Sequence, residues 1–148
     1  MKAVIQRVKN ASVSFDGIKN EIGNGIVVLV GIGRGDTDDD ARWVADKILN
    51  LRIFSDGAGK FDDSVLDIRG DILVVSQFTL YGNCCRGRRP DFTEAETPQK
   101  ALELYLKFVE YLKSSCLIVK EGKFAATMLL EIHNDGPVTI IIERKSDL

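Results

Sequence analysis

The run from Ile26 to Ile32, IVVLVGI, places seven residues in succession without a charged or polar side chain. A strand with one wet face alternates polar and apolar positions, so an unbroken run predicts a strand covered on both faces and central in a sheet. Residues 2–8 predict a strand with at least one buried face, residues 11–15 predict a second, and Asp16-Gly17 supplies hairpin-turn chemistry. Ile72 to Val75 is again wholly apolar. Its C-terminal end delivers Ser76, Gln77, Phe78, Thr79 and Leu80, and groups emerging where a buried strand ends are candidates for a site.

Two helices frame these strands. Thr37 followed by the acidic run Asp38 to Asp40 suits a helix N-terminus, and Val44, Ile48 and Leu51 then recur at helical spacing. Trp43 beside that stripe is expected as a core or interface anchor. Thr97-Pro98 starts a second helix whose face is Leu102, Tyr105, Leu106, Val109 and Leu112, ending near residue 114. Short strands are expected at 52–54 and 117–119, and segments 124–133 and 138–143 are expected to form a hairpin or pair around Asn134-Asp135-Gly136-Pro137. The order predicts a single α/β domain of mixed α+β character over residues 1–148, with barrel-like or layered sheets and the two helices on one side. With 148 residues, 45% of them apolar, such a core needs no staples.

Several functions are disfavoured by what is missing. Gly31, Gly33 and Gly35 have the wrong spacing for a dinucleotide fingerprint, and GAGK at 57–60 lacks the remaining phosphate-loop positions. Cys84, Cys85 and Cys116 form neither a disulfide framework nor a metal-ligand pattern, which fits a reducing cytosol. The lone His133, in an alternating strand pattern, reads as an ordinary strand residue, so neither a zinc site nor a Ser-His-Asp triad is expected, and no cofactor. No signal peptide and no membrane span is expected. The net charge of −2 confines any nucleic-acid contact to a local patch. Arg86, Arg88 and Arg89 are the candidate, although the acids Asp91, Glu94 and Glu96 that follow favour a neutralised, solvated loop.

Two constellations remain, SQFTLYG at 76–82 and NDGPVTI at 134–140. Together with MKAVIQRVKNASVSFDG at the start, KILNLRIF, and GRRPDFT, in this order, they resemble the D-aminoacyl-tRNA deacylase family (D-tyrosyl-tRNA(Tyr) deacylases) over essentially the whole chain. The resemblance implies a cytoplasmic homodimer that hydrolyses the ester of D-aminoacyl-tRNA at its acceptor end. Ser76, Gln77, Phe78 and Thr79 would form the catalytic floor. Gly136 and Pro137 would enter from the partner through a cis bond and reject L substrates, with Arg7 bracing them and Met128 lining the pocket. A terminal 2′-hydroxyl of the substrate would assist in place of a catalytic base. Glycine carries no side chain to reject, so glycyl-tRNA mischarged on tRNA(Ala) is a further expected substrate. The family commonly has glycine where this chain has Ala125, and Ala126-Thr127 follow it, which bears on the pocket wall. The alternative from another class is a noncatalytic RNA-binding or interaction module of the same fold.

Overall fold

The structure, a computed structural model, describes residues 1–145. Its element order is β1 (Lys2–Phe15), β2 (Ile18–Ile22), β3 (Gly25–Gly31), α1 (Asp38–Asn50), β4 (Phe54–Ser55), β5 (Phe61–Asp63), β6 (Asp71–Ser76), a 3-10 helix (Phe78–Tyr81), α2 (Pro98–Lys113), β7 (Val119–Glu121) and β8 (Leu129–Glu143). Six strands form one mixed sheet in the order β2-β1-β3-β6-β7, with β8 pairing on β1, and β4-β5 form a separate small ribbon. The sheet curls until its ends approach: the Asn20 side-chain amide in β2 donates to the Glu121 carbonyl in β7 at 2.7 Å. The result is a mixed α/β fold around a nearly closed, barrel-like sheet, as the pattern of the sequence predicts.

The central strands are apolar on both faces because they serve two cores. Ile26, Val28, Val30, Ile72 and Val74 face Ala41, Val44, Ala45 and Ile48 of α1 and Tyr105, Phe108, Val109 and Leu112 of α2. The alternate positions Val27, Leu73 and Val75 turn inward, against Val8, Val13 and Ile22. Both helices therefore lie on one side, and the period of two in β3 and β6 feeds a different core on each face.

Local chemistry sets the helix starts. Thr37 caps α1: its hydroxyl accepts from the Asp40 N–H at 3.4 Å, while the Asp40 carboxylate accepts from the Thr37 N–H at 2.9 Å. These reciprocal bonds satisfy donors that a helix N-terminus leaves orphaned. Trp43 is not core: it stays 40% exposed, with the Arg144 guanidinium 5.2 Å and the Lys47 ammonium 5.8 Å from its ring.

The largest departure from expectation concerns the two ends of the chain. The separate strands expected at 2–8 and 11–15 are one strand, β1, and the hairpin expected around residues 134–137 is not a hairpin. β8 runs antiparallel to β1 almost throughout, from Lys2↔Glu143 to Ser14↔Leu129. The turn residues make a bulge instead. Gln6 pairs with Thr139 and Val8 with Asn134, so Asp135 to Val138 stand opposite Arg7 alone. Turn-forming residues usually reverse a chain, but here β1 continues on both sides of the bulge and holds the strand in line. Smaller shifts also occur: the strand expected at 52–54 is Phe54–Ser55, the one expected at 117–119 is Val119–Glu121, and β2 and β5 were not anticipated.

Candidate functional site

A cavity of about 610 Å³ opens where β6 ends. Ser76, Gln77 and Phe78 form one side, Met128 with Phe124 and Ala125 another, and Ile32, Phe92 and Ala101 much of the remainder. The lining is mostly apolar with a few polar groups, the usual character of a small-ligand site. Backbone geometry positions these groups. β6 pairs parallel with β3 up to Val30↔Ser76, and the Gln77 N–H continues the ladder by donating to the Val30 carbonyl at 2.8 Å. The chain then turns into the 3-10 helix, whose first N–H groups, those of Phe78 and Thr79, have no intrahelical acceptor. The Gln77 side-chain amide donates to the Thr79 hydroxyl. Thr79 itself is exposed and is not part of the cavity lining.

Close approach is built into this corner. A Cβ at Gly31 would come within 2.9 Å of the Gln77 carbonyl, so only glycine lets β3 pass the start of the 3-10 helix without a shift. Phe78 is 57% exposed and meets Phe92 edge-to-face, ring centroids 5.2 Å apart. Tyr81 packs beneath, and burial pushes its phenol well above the ordinary tyrosine range. On the rim, Glu96 is held below the usual carboxylate range, chiefly because the Thr97 N–H donates to it at 2.7 Å.

Met128 lies in the wall as expected, its sulfur 3.3 Å from the Lys123 N–H. Ala125 is unusual: it adopts φ +59°, the left-handed region that favours glycine. Phe92, Phe124, Arg34 and Glu96 also line the cavity and were not anticipated from sequence. They come from separated loops, and nothing in their spacing marks them.

The remaining expected site residues lie elsewhere in the chain. Arg7 is 9% exposed. It donates to the Ile53 carbonyl at 2.7 Å and to the Asp135 carbonyl at 3.1 Å, pairs with the Asp135 carboxylate at 3.5 Å, and lies 5.4 Å from the Phe61 ring centre. Gly136 stands opposite Arg7 with φ +121°, and its bond to Pro137 is cis. A Cβ on Gly136 would approach the Arg7 guanidinium to 2.9 Å and Val138 to 3.0 Å. Through β3, Arg7 aligns with Ile26 and Ile72, whereas Ser76 aligns with Val30 and Ala3. That offset of four residues is roughly 13 Å along the strands. Within this chain, Gly136-Pro137 does not line the cavity.

His133 pairs in register with Asn10 on β1 and lines a separate polar depression with Ser12, Lys19, Glu21 and Glu131. It is absent from the lining of the cavity at the end of β6. Among the described residues no group of three or more His, Cys, Asp or Glu gathers to hold a metal, and no helix is long and apolar enough to cross a membrane.

Comparison with known proteins agrees across sequence and structure. A family model described as D-Tyr-tRNA(Tyr) deacylase matches residues 4–143. A D-aminoacyl-tRNA deacylase of Fervidobacterium nodosum is 53% identical over 146 residues, covering 98% of each chain. One from Aquifex aeolicus is 56% identical over 146 residues, covering 98% of this chain and 99% of the other. The solved structure of a c-Myc DNA Unwinding Element Binding Protein superposes with a TM-score of 0.92 at 44% identity, over 99% of this chain and 100% of the other.

Proposed function

The chain belongs to the D-Tyr-tRNA(Tyr) deacylase family, and we propose that it hydrolyses the ester of D-aminoacyl-tRNA, releasing the free D-amino acid and the tRNA. The observation that carries this reading is the cavity at the end of β6, which reaches the start of the 3-10 helix, where the Phe78 N–H has no intrahelical acceptor, and whose lining holds no histidine or cysteine. Ester hydrolysis suits that equipment. Water adds to the acyl carbon, the carbonyl oxygen becomes an oxyanion, and N–H groups aimed at it stabilise the charge. The bond to the ribose oxygen then breaks, leaving a carboxylate and the terminal hydroxyl of the tRNA. The neighbouring 2′-hydroxyl of the substrate supplies the proton handling that the side chains here do not.

Chirality is read by backbone contributed from a second copy. In a homodimer the Gly136-Pro137 bulge of one protomer enters the cavity of its partner, carbonyls toward the substrate ammonium, leaving no space for an L side chain. Three features support this arrangement: the bulge lies roughly 13 Å along the strands from the cavity of its own protomer, Arg7 locks it in place, and Leu129 and Ile141 on β8 are 63% and 73% exposed. Glycyl-tRNA passes the same filter and is a second substrate. Three exposed free cysteines suit a reducing, cytoplasmic setting.

Incubating the protein with D- and L-tyrosyl-tRNA and counting released amino acid tests the activity. Release from the D-form alone is expected. Release from neither would favour a noncatalytic nucleic-acid-binding module, in keeping with the superposed DNA Unwinding Element Binding Protein. Sedimentation should show a dimer, and a stable monomer with full activity would sink the cross-subunit filter.

A further inference from the structure

Between Asn83 and Asp91 the chain makes a closed loop, pinned by two backbone hydrogen bonds of 2.8 and 2.9 Å between those residues and by the Cys85 N–H donating to the Asn83 side chain at 2.9 Å. The loop springs from the cavity wall. It follows the 3-10 helix that carries Phe78 and runs into Phe92, and those two rings touch across its base. Arg86, Arg88 and Arg89 stand on it, all exposed.

Among the described residues the acids that follow in sequence, Asp91, Glu94 and Glu96, form no ion pair with these arginines. Asp91 is engaged by the N–H and hydroxyl of Thr93 at 2.9 and 3.3 Å, and Glu96 by the Thr97 N–H. Among the described residues none of the three guanidiniums has a hydrogen bond, ion pair or ring contact. Of the six arginines outside the loop, Arg7, Arg34, Arg42, Arg52 and Arg144 each reach an acceptor, and only the isolated Arg69 among the described residues does not. Three unpartnered arginines in four residues, on a short pinned loop of a protein with net charge −2, concentrate positive potential beside the cavity mouth.

We propose that this loop is a phosphate clamp that grips the RNA backbone just 5′ of the nucleotide whose ester enters the cavity. Guanidinium forks pair bidentately with phosphate oxygens, and backbone contacts fix register without reading sequence. The clamp gives an otherwise acidic protein its hold on a polyanion and sets the depth to which the acyl end enters. It rests on the proposed deacylase reading and adds the surface that holds the RNA.

The test compares D-tyrosyl-tRNA with D-tyrosyl-adenosine, which carries the same ester and no phosphate, using the parent and the Arg86→Ala, Arg88→Ala, Arg89→Ala triple variant. For the tRNA substrate the KM should rise tenfold or more with kcat little changed, while the adenosine ester loses nothing. The slope of log affinity for uncharged tRNA against log salt should fall by about 2, since each single-strand phosphate contact contributes about 0.7. Uncharged tRNA should also shield Cys84 and Cys85, within the loop, from alkylation by N-ethylmaleimide while leaving Cys116 reactive; all three thiols are exposed. An unchanged KM and salt slope, equal losses on both substrates, or protection of Cys116 alone would overturn the clamp. A parent protein that cleaves neither ester would instead refute the deacylase reading, and the salt slope and thiol protection would still decide whether the loop binds RNA.

Discussion

The two ends of the parallel pair β3 and β6 are built on opposite rules. At the C-terminal end, the chain leaves its ladder after Gln77 and opens a cavity lined by Phe78, an exposed aromatic whose N–H has no intrahelical acceptor. At the other end, the bulge opposite Arg7 is tied off by two carbonyl acceptors, one carboxylate and a ring. The first region leaves the Phe78 and Thr79 N–H groups without an intrahelical acceptor, whereas the second engages its polar groups internally. The two ends thus treat their polar groups in contrary ways, and the sheet between them is packed on both faces.

The contrast can be broken most severely at Arg7. Arg7→Ala strips a buried charge from the Ile53 and Asp135 carbonyls and leaves Asp135 with only Lys9, 3.4 Å away. A loss of about 3 kcal/mol in denaturant-induced unfolding is expected. Chiral discrimination should fall with it, and Arg7→Lys should restore only part, because an ammonium lacks the fork that spans both carbonyls. Unfolding free energy within about 0.5 kcal/mol of the parent would show that the bulge does not depend on this side chain.

Gly136→Ala comes next. The added Cβ meets Arg7 at 2.9 Å and must adopt φ +121°, at a cost of roughly 1–3 kcal/mol. The variant should remain folded by circular dichroism yet lose most D-tyrosyl-tRNA hydrolysis. Parent-like kinetics would remove the bulge from the proposed site.

Ala125→Gly should move stability the other way. The left-handed φ of +59° costs an L-residue roughly 1–2 kcal/mol, and glycine gives back part of that gain in unfolded-state entropy, about 0.5–1 kcal/mol. A rise in the thermal midpoint is expected with little change in kcat. A fall would mean that the methyl group contributes to the cavity wall more than its backbone costs.

Thr79→Ala should change least. The hydroxyl is exposed and bonded only to the Gln77 side chain, and no base is placed to activate it. Stability should stay within about 0.5 kcal/mol and turnover within a few-fold. Mass-spectrometric capture of an aminoacyl ester on Thr79 would instead make it a nucleophile.

The elements legible in the chain are those whose pattern is local. The continuous apolar runs of β3 and β6 required cover on both faces. The acidic start after Thr37 and the Thr97-Pro98 pair located both helices, and the end of β6 marked where a site would open. Through its resemblance to a family, the sequence also named Ser76, Gln77, Phe78 and Met128, which the cavity brings together.

The remaining features depend on long-range packing. Asn134-Asp135-Gly136-Pro137 carries every local signal of a turn, yet β1 pairs on both sides of it, and a long-range ladder outweighs the preference of four residues. Local propensity likewise could not show that Arg86, Arg88 and Arg89 stand without an ion pair to Asp91, Glu94 or Glu96, because Asp91 and Glu96 accept from Thr93 and Thr97 instead. Nor could it show that Arg7 and Ser76, both legible as site residues, sit at opposite ends of the same strands. Strand register fixes that separation, and register is set by which faces pack, a property of the whole sheet rather than of any one segment.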